Sequence, residues 1–292
     1  IKVSVAEVLG SIEDPRAVEP LIATLNDPDA VLRNKAAEVL GKLKDSRAVA
    51  PLIVSLSDPN PTVRERATLV LGEFRDKSAV EPLLSLLDDT EITVRRSVTI
   101  ALGKLGDSRA VEPLISAIQD PSSSVRENAV EALHALGDLR AVDALIGALG
   151  DSEENVQWKA RDALISMSNV SVQPLISALN DPNVTVRWHA ADVLGRLGNR
   201  EAVVPLIAVL GHPDPNLRWR VANSLGRLGD RSAVDYLLSA LSDSNPKVRY
   251  YVAGALGNLR DKRAIPALEA LQRDAFASVR DAGKSALAEI NR

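Results

Sequence analysis

The chain of 292 residues contains no cysteine. That absence excludes disulfides, thiol catalysis and every cysteine-based metal site, and it fits a reducing compartment. Aromatic residues make up only 3%, whereas a single large core usually leans on them for buried area. Leu, Val, Ile and Ala carry the apolar content instead, which suits thin layers of packed helices. No apolar run approaches the ~20 residues of a membrane helix, and no signal peptide pattern is present, so the cytoplasm is the expected location. A formal net charge of −4 gives the molecule no overall electrostatic footprint for nucleic acid or an anionic membrane.

What the chain has in abundance is repetition. Asp14, Asp45, Asp76, Asp107, Asp138, Ser168, Asn199, Asp230 and Asp261 occupy equivalent places, with a period of 31 residues and a single unit of 30. The expected organisation is one domain over 1–292: a partial repeat at 1–13, then nine repeats at 14–44, 45–75, 76–106, 107–137, 138–167, 168–198, 199–229, 230–260 and 261–292. Ile1-Lys2 stands where other units have Val-Arg, so the sequence opens inside a unit and upstream sequence is expected. Leu40, Leu71, Leu102, Leu133, Leu164, Leu194, Leu225, Leu256 and Leu287 form one column, and Leu21, Leu52, Leu83 and their equivalents a second.

Within a unit the apolar spacing is helical. Val186, Ala190, Val193, Leu194 and Leu197 make one stripe of an α-helix. Asn60-Pro61, Asp214-Pro215 and Asn245-Pro246 read as N-caps followed by proline in the first helical position. Gly106, Gly137, Gly198 and Gly229 read as left-handed stops. The first half of each unit reads as a shorter helix whose proline lies in its first turn or kinks it. Two short helices cannot bury their apolar faces alone, so the units must stack into an all-α α-solenoid.

The phrases "AVEPLISAIQDPSSSVRENAVEAL" and "VRWHAADVLGRLG" resemble HEAT-like repeats of the phycobilisome-lyase (E-Z) type, and the resemblance covers the whole chain. They are also similar to the consensus of designed helical-repeat proteins from that family, although the short unit 138–167 and its "SMSNVSV" exit depart from any consensus. The resemblance implies a right-handed superhelix of two-helix repeats in which the second helices line a concave groove. It also implies that recurring aspartate and arginine columns, such as Asp27 with Arg33 and Asp58 with Arg64, bond along the stack.

Several features look chemical and read better as structure. "GDSRAV" at Gly106 matches a serine-esterase phrase, yet it is the loop between units. "NVS" and "NVT" match glycosylation sequons with nothing else pointing to secretion. His134, His189 and His212 fall at three different places of the unit, so no ring of histidines converges on a metal. Deoxyhypusine hydroxylase, an enzyme of the wider family, carries paired His-Glu steps holding iron; none of these histidines is followed by Glu. No catalytic residue, metal ligand or cofactor is expected.

One column breaks the pattern. Trp158, Trp188, Trp219 and Tyr250 stand at the same position of four successive units, and Tyr251 follows, so five of eight aromatics lie in or beside it. At 100° per residue, Trp188 projects about 170° from the centre of its helix's apolar stripe. Polar groups follow on the same faces: Asp162, Asp192, Arg196, Asn223 and Arg227, with Lys159, His189 and Arg220 flanking. Amphipathic anchors beside hydrogen-bonding groups have the composition of a binding hot spot; packing of each ring on the next helix is the structural alternative. Four such steps span roughly 25 to 30 Å, the length of about eight extended residues.

The expected function is therefore a non-catalytic scaffold that holds a protein or peptide in the groove of repeats five to eight. The alternative, implied by the lyase-type resemblance, is handling of a bilin, with aspartates taking pyrrole N–H groups and arginines the propionates. Nucleic acid fits poorly, because acids and bases are balanced on this face. Unit 138–167, which has Gln157 in place of arginine, is expected to bend the stack.

Overall fold

A computed structural model describes residues 14–292; the partial repeat expected at 1–13 lies outside the described residues. Among these residues there are helices and no strands, and the chain groups into two compact units, Ile1–Ala144 and Leu145–Arg292. Each is a segment of α-solenoid built from the same three-part motif. A 3₁₀ turn such as Arg200–Ala202 leads into a short helix, Val203–Ala208, and a loop then feeds a long helix, Pro215–Leu228.

The recurring aspartate of the repeat acts at the first of these steps. Asp45 caps the turn Ser46–Ala48 by accepting the Arg47 N–H, and Oδ1 and Oδ2 then hold the Arg47 side chain at 3.0 and 2.8 Å. Asp14, Asp107, Asp138 and Asp261 hold Arg16, Arg109, Arg140 and Arg263 in the same way. In "GDSRAV" the aspartate is thus a cap and clamp. The proline of the short helix falls in its first turn: Pro20 is the third residue of Val18–Thr24. N–H groups there have no helical acceptor, so the ring costs no bond and introduces no kink.

Long helices begin and end as their sequences dictate. Asn60, Asp214 and Asn245 each accept an N–H two residues on, with proline at the next position. Gly106, Gly137, Gly198 and Gly229 have φ of 63°, 62°, 70° and 68°. Lys44, Arg75 and Arg260 take the same left-handed stop without glycine.

Within each compact unit successive long helices pack on one another, and most also pack on their own short helix, so the long helices of a unit form one continuous ladder. Both leucine columns face inward: Leu40, Leu52, Leu71, Leu83, Leu164 and Leu175 have no exposed surface, and burying each contributes about 1.5–3 kcal/mol. Leu287, at the last position of the first column, is only half-buried. Close approach between long helices rests on small residues. A Cβ on Gly226 would meet Ala255 Cα at 2.7 Å, and one on Gly195 would meet Ser224 Cα at 2.7 Å. The aromatic rings therefore do not fill gaps beside these glycines; the neighbouring backbone does.

The arginine column forms the ladder the resemblance implied, with the carboxylate supplied by the next repeat rather than by the aspartate six residues before. Arg33 binds Asp58 of the next repeat through Nε and Nη2 at 2.6 and 2.8 Å, while Nη1 donates to the carbonyls of Asp27 and Pro28. Arg64–Asp89, Arg95–Asp120, Arg218–Asp243 and Arg249–Asp274 repeat this at the same 25-residue register. In repeats five to seven the rungs differ. Gln157 replaces arginine and His212 replaces the aspartate that register assigns to Arg187, whose buried Nε has no partner. The repeat 138–167 also leaves its long helix differently: Glu154–Ser166 ends at Met167, and Ser168 alone takes a positive φ of 55°. No helix among the described residues is long and apolar enough to cross a membrane.

Candidate binding face

The aromatic column lies on the ladder of long helices in the second compact unit, where Glu154–Ser166, Val184–Leu197, Pro215–Leu228, Pro246–Leu259 and Ala277–Ile290 pack in order. Trp188 opens a continuous series. Its indole N–H donates to Asp214 Oδ2 at 2.6 Å, and Asp214 is the N-cap of the following long helix. Burial opposes ionisation of Asp214, but the bonds from Trp188 and from the Asn216 N–H outweigh it and hold the carboxyl below its ordinary value.

Arg220 is the centre of the series. Its guanidinium carbon lies 4.8 Å from the centroid of Trp188 and 4.1 Å from that of Trp219. Trp219 in turn stacks on Tyr251 with centroids 4.6 Å apart, and Tyr251 meets Tyr250 edge to face at 5.2 Å. Lys247 Nζ sits 4.1 Å from the Trp219 ring. Each such cation–ring contact is worth about 0.5–2 kcal/mol, more as water is excluded. Desolvation pulls the pKa of Arg220 down, yet the group stays charged, anchored by one bond from Nη1 to the Asn216 carbonyl.

The rings of the column are not equivalent. Trp188, Trp219 and Tyr251 are half-buried, and Trp219 is enclosed by Arg220, Lys247 and Tyr251. The surface on offer belongs to the ends of the column: Trp158 is 57% exposed and Tyr250 42%. Arg161, three residues on from Trp158 along the same helix, lies over that ring at 4.6 Å.

Other expected site residues are brought to the same face, though many are already engaged. Asp192 accepts from Arg196 at 2.8 Å and from Arg227 at 3.2 Å. Asp162 is exposed and takes Arg161, and Lys159 is half-buried. His189 lies 3.1 Å from Gln157 Oε1, whose amide is oriented by its own bond to the Asp151 carbonyl. Burial, aided by Arg220, pushes the pKa of His189 down and favours the neutral ring. Asn223 lines a cavity of about 370 Å³ beside Tyr250 and Tyr251, floored by Gly254 and Gly257 and edged by Asp281 and Glu289.

Asp214, Arg161, Lys247 and this cavity escaped the sequence reading. Arg161 was within reach of it, since a cation three residues from an exposed ring shares its helix face. Asp214 and Lys247 were visible only as an N-cap and a first-turn residue, because the register between successive long helices brings them to the rings.

Comparison with known proteins agrees with this architecture. The structure is similar to Kap121p, with a TM-score of 0.75 at 16% identity over 95% of this chain and 38% of that one. It is similar in the same way to Kap121p bound to Nup53p (TM-score 0.75, 15% identity, 95% of this chain and 37% of that one). Importin beta matches at a TM-score of 0.67 and 13% identity, over 99% of this chain and 48% of its own. The chain thus spans less than half the length of these relatives, and at such identities the likeness is one of fold. No curated protein matches the sequence. HEAT repeats are matched at residues 1–58, 49–133, 111–171, 172–238 and 203–288. With the two-helix unit, the leucine columns and the Asp–Arg ladder in place along that length, the chain belongs to the HEAT repeat family.

Proposed function

We propose that this chain is a non-catalytic scaffold that binds a protein or peptide along the long-helix face of repeats five to eight. The observation that carries the reading is the exposure of Trp158 and Tyr250 at the two ends of the aromatic column, whose middle is an ordered series of rings and cations from Trp188 to Tyr251. Rings held by their own neighbours lose little freedom when a partner arrives, so more of the contact energy appears as affinity. Large exposed rings rimmed by charged groups of both signs suit a polypeptide, with its mixed donors, acceptors and apolar side chains. Kap121p, similar in fold, is known bound to Nup53p and to the extreme C-terminus of the protein phosphatase Cdc14p, so the architecture serves protein ligands there. A bilin finds less support. Of its prospective partners, Asp192, Arg196 and Arg227 are bound to one another, Arg220 lies between two rings and Asp162 takes Arg161.

The test is a titration of the partner recovered with the full chain and identified by mass spectrometry. The double variant Trp158→Ala/Tyr250→Ala should weaken binding by roughly 2 to 4 kcal/mol per ring while the chain stays folded by circular dichroism. Undiminished affinity would reject this face as the binding surface.

A further inference from the structure

Away from the aromatic face, the short helices Val203–Ala208 and Val234–Ala240 and the loop 211–214 border an open groove of about 510 Å³. A groove recurs at this place in the repeat. Cavities of about 440 Å³ at Ile22, Pro51 and Asp58 and about 430 Å³ at Leu87, Pro113 and Asp120 are its equivalents. Its existence follows from the stacking geometry and implies no ligand. Its chemistry at repeats seven and eight does not follow from the repeat.

Two substitutions meet there. Tyr236 replaces the proline found at Pro51 and Pro113 and is 55% exposed. His212 replaces the aspartate that stands at Asp27, Asp58, Asp89 and Asp120. His212 keeps half of that aspartate's work. Its Nδ1 accepts the Asp214 N–H at 3.0 Å, as Asp58 Oδ1 accepts the Asn60 N–H at 2.8 Å. An acceptor at Nδ1 fixes the neutral ring as the Nε2–H tautomer, and that donor has no partner among the described residues.

The other half of the work is undone, and it leaves a charge. The Arg33–Asp58 and Arg64–Asp89 rungs are neutral pairs; the rung of Arg187 lacks its carboxylate, and the guanidinium keeps an unpartnered, buried Nε. Asp243 cannot compensate, since both its oxygens hold Arg218 at 2.6 and 2.8 Å. Position 212 therefore carries no carboxylate where the repeat has one, and the nearby acid Asp214 is already bound to Trp188; His212 stands at the rim of a groove lined by Tyr236, Ile207, Leu210 and Pro213 together with the Arg218–Asp243 pair.

We propose that this groove binds a small ring-bearing carboxylate, the ring lying on Tyr236 and the aliphatic wall and the carboxylate accepting from His212 Nε2–H. The size suits such a molecule, and the carboxylate restores the charge that the substitution at position 212 removed. The site also reaches the aromatic face. Asp214 donates its N–H to His212 on one side and accepts the Trp188 indole N–H on the other, so occupancy bears on a tryptophan.

Benzoate is the probe, with benzamide as its uncharged counterpart. The chain has three histidines, so the His212 ring signals in a proton–nitrogen spectrum are assigned by their loss in His212→Asp. Benzoate should shift the His212 ring signals saturably, with a Kd on the order of millimolar, and benzamide should bind at least about tenfold more weakly. Tyr236→Pro and His212→Asp each install the residue that other repeats carry, so both should fold, with circular dichroism as the check. Tyr236→Pro should abolish the His212 shifts, and His212→Asp should abolish the accompanying change in Trp fluorescence. Shifts that do not saturate, equal binding of benzamide, or benzoate binding undiminished in both variants would overturn the proposal.

Discussion

Trp188 and Asp214 are joined across a repeat boundary by a 2.6 Å hydrogen bond from the indole N–H to the carboxylate. The pair stands directly beside the one rung where Arg187 finds histidine at the position assigned to its carboxylate. A neighbouring tryptophan has thus taken over part of the tie between repeats six and seven. Replacement by Phe keeps most of the ring and removes the donor. Trp188→Phe should destabilise the chain by about 1–2 kcal/mol, read by chemical denaturation. An unchanged midpoint would mean that the bond contributes nothing in solution.

His212→Asp should have the opposite effect. The new carboxylate would lie opposite Arg187 Nε, in the register of Arg33 with Asp58, and would still accept the Asp214 N–H. Satisfying a buried guanidinium N–H with a charged acceptor should stabilise by about 1–3 kcal/mol, seen as a higher Tm. A lower Tm would show that the negative charge of Asp214 dominates at this rung.

Gly226→Ala addresses the contact between long helices. The added methyl would meet Ala255 Cα at 2.7 Å, and backbone yields less easily than a side chain. Overpacking should outweigh the gain in helix propensity and cost about 1–3 kcal/mol. Gly254→Ala, where a Cβ meets nothing within 4 Å, is the control and should be neutral or slightly stabilising. Equal effects at the two sites would refute the close-packing account.

Acid should act in two stages. Burial lowers the pKa of His189, so below the unfolded value of about 6.5 the unfolded chain takes a proton that the folded chain refuses, and stability begins to fall. The second stage belongs to the carboxylates. Hydrogen bonds from Arg47, Arg109 and Arg140 hold Asp45, Asp107 and Asp138 down to about 2, so their contribution is complete above about 4 and disappears as pH falls through 2. A Tm profile from pH 7 to 2 should show a shallow decline followed by a steep one. His189→Gln should remove the first and leave the second.

How much of this was legible in advance depends on how far apart in sequence the partners lie. Asn60, Asp214 and Asn245 as caps, Gly106 and Gly198 as stops, and the helical stripe of Val186, Ala190 and Leu194 are local matters, decided within one or two turns. The Asp–Arg ladder reaches 25 residues, yet it repeats with the sequence, so one unit reveals the rest. Arg220 was harder. From sequence it is a cation flanking Trp219, and its position between two rings of successive repeats depends on side-chain direction and on how one long helix is offset from the next.

The sequence alone determined the all-α repeat, its leucine core and the face on which Trp158, Trp188, Trp219 and Tyr250 stand, because periodicity encodes which side of a helix is buried. Only the tertiary structure decided which of those rings remain open. Trp188 and Trp219 are covered by Arg220, whereas Trp158 and Tyr250 keep much of their surface. Exposure of a ring is set by what the neighbouring helix brings to within about 5 Å of it, and that is a property of packing between repeats.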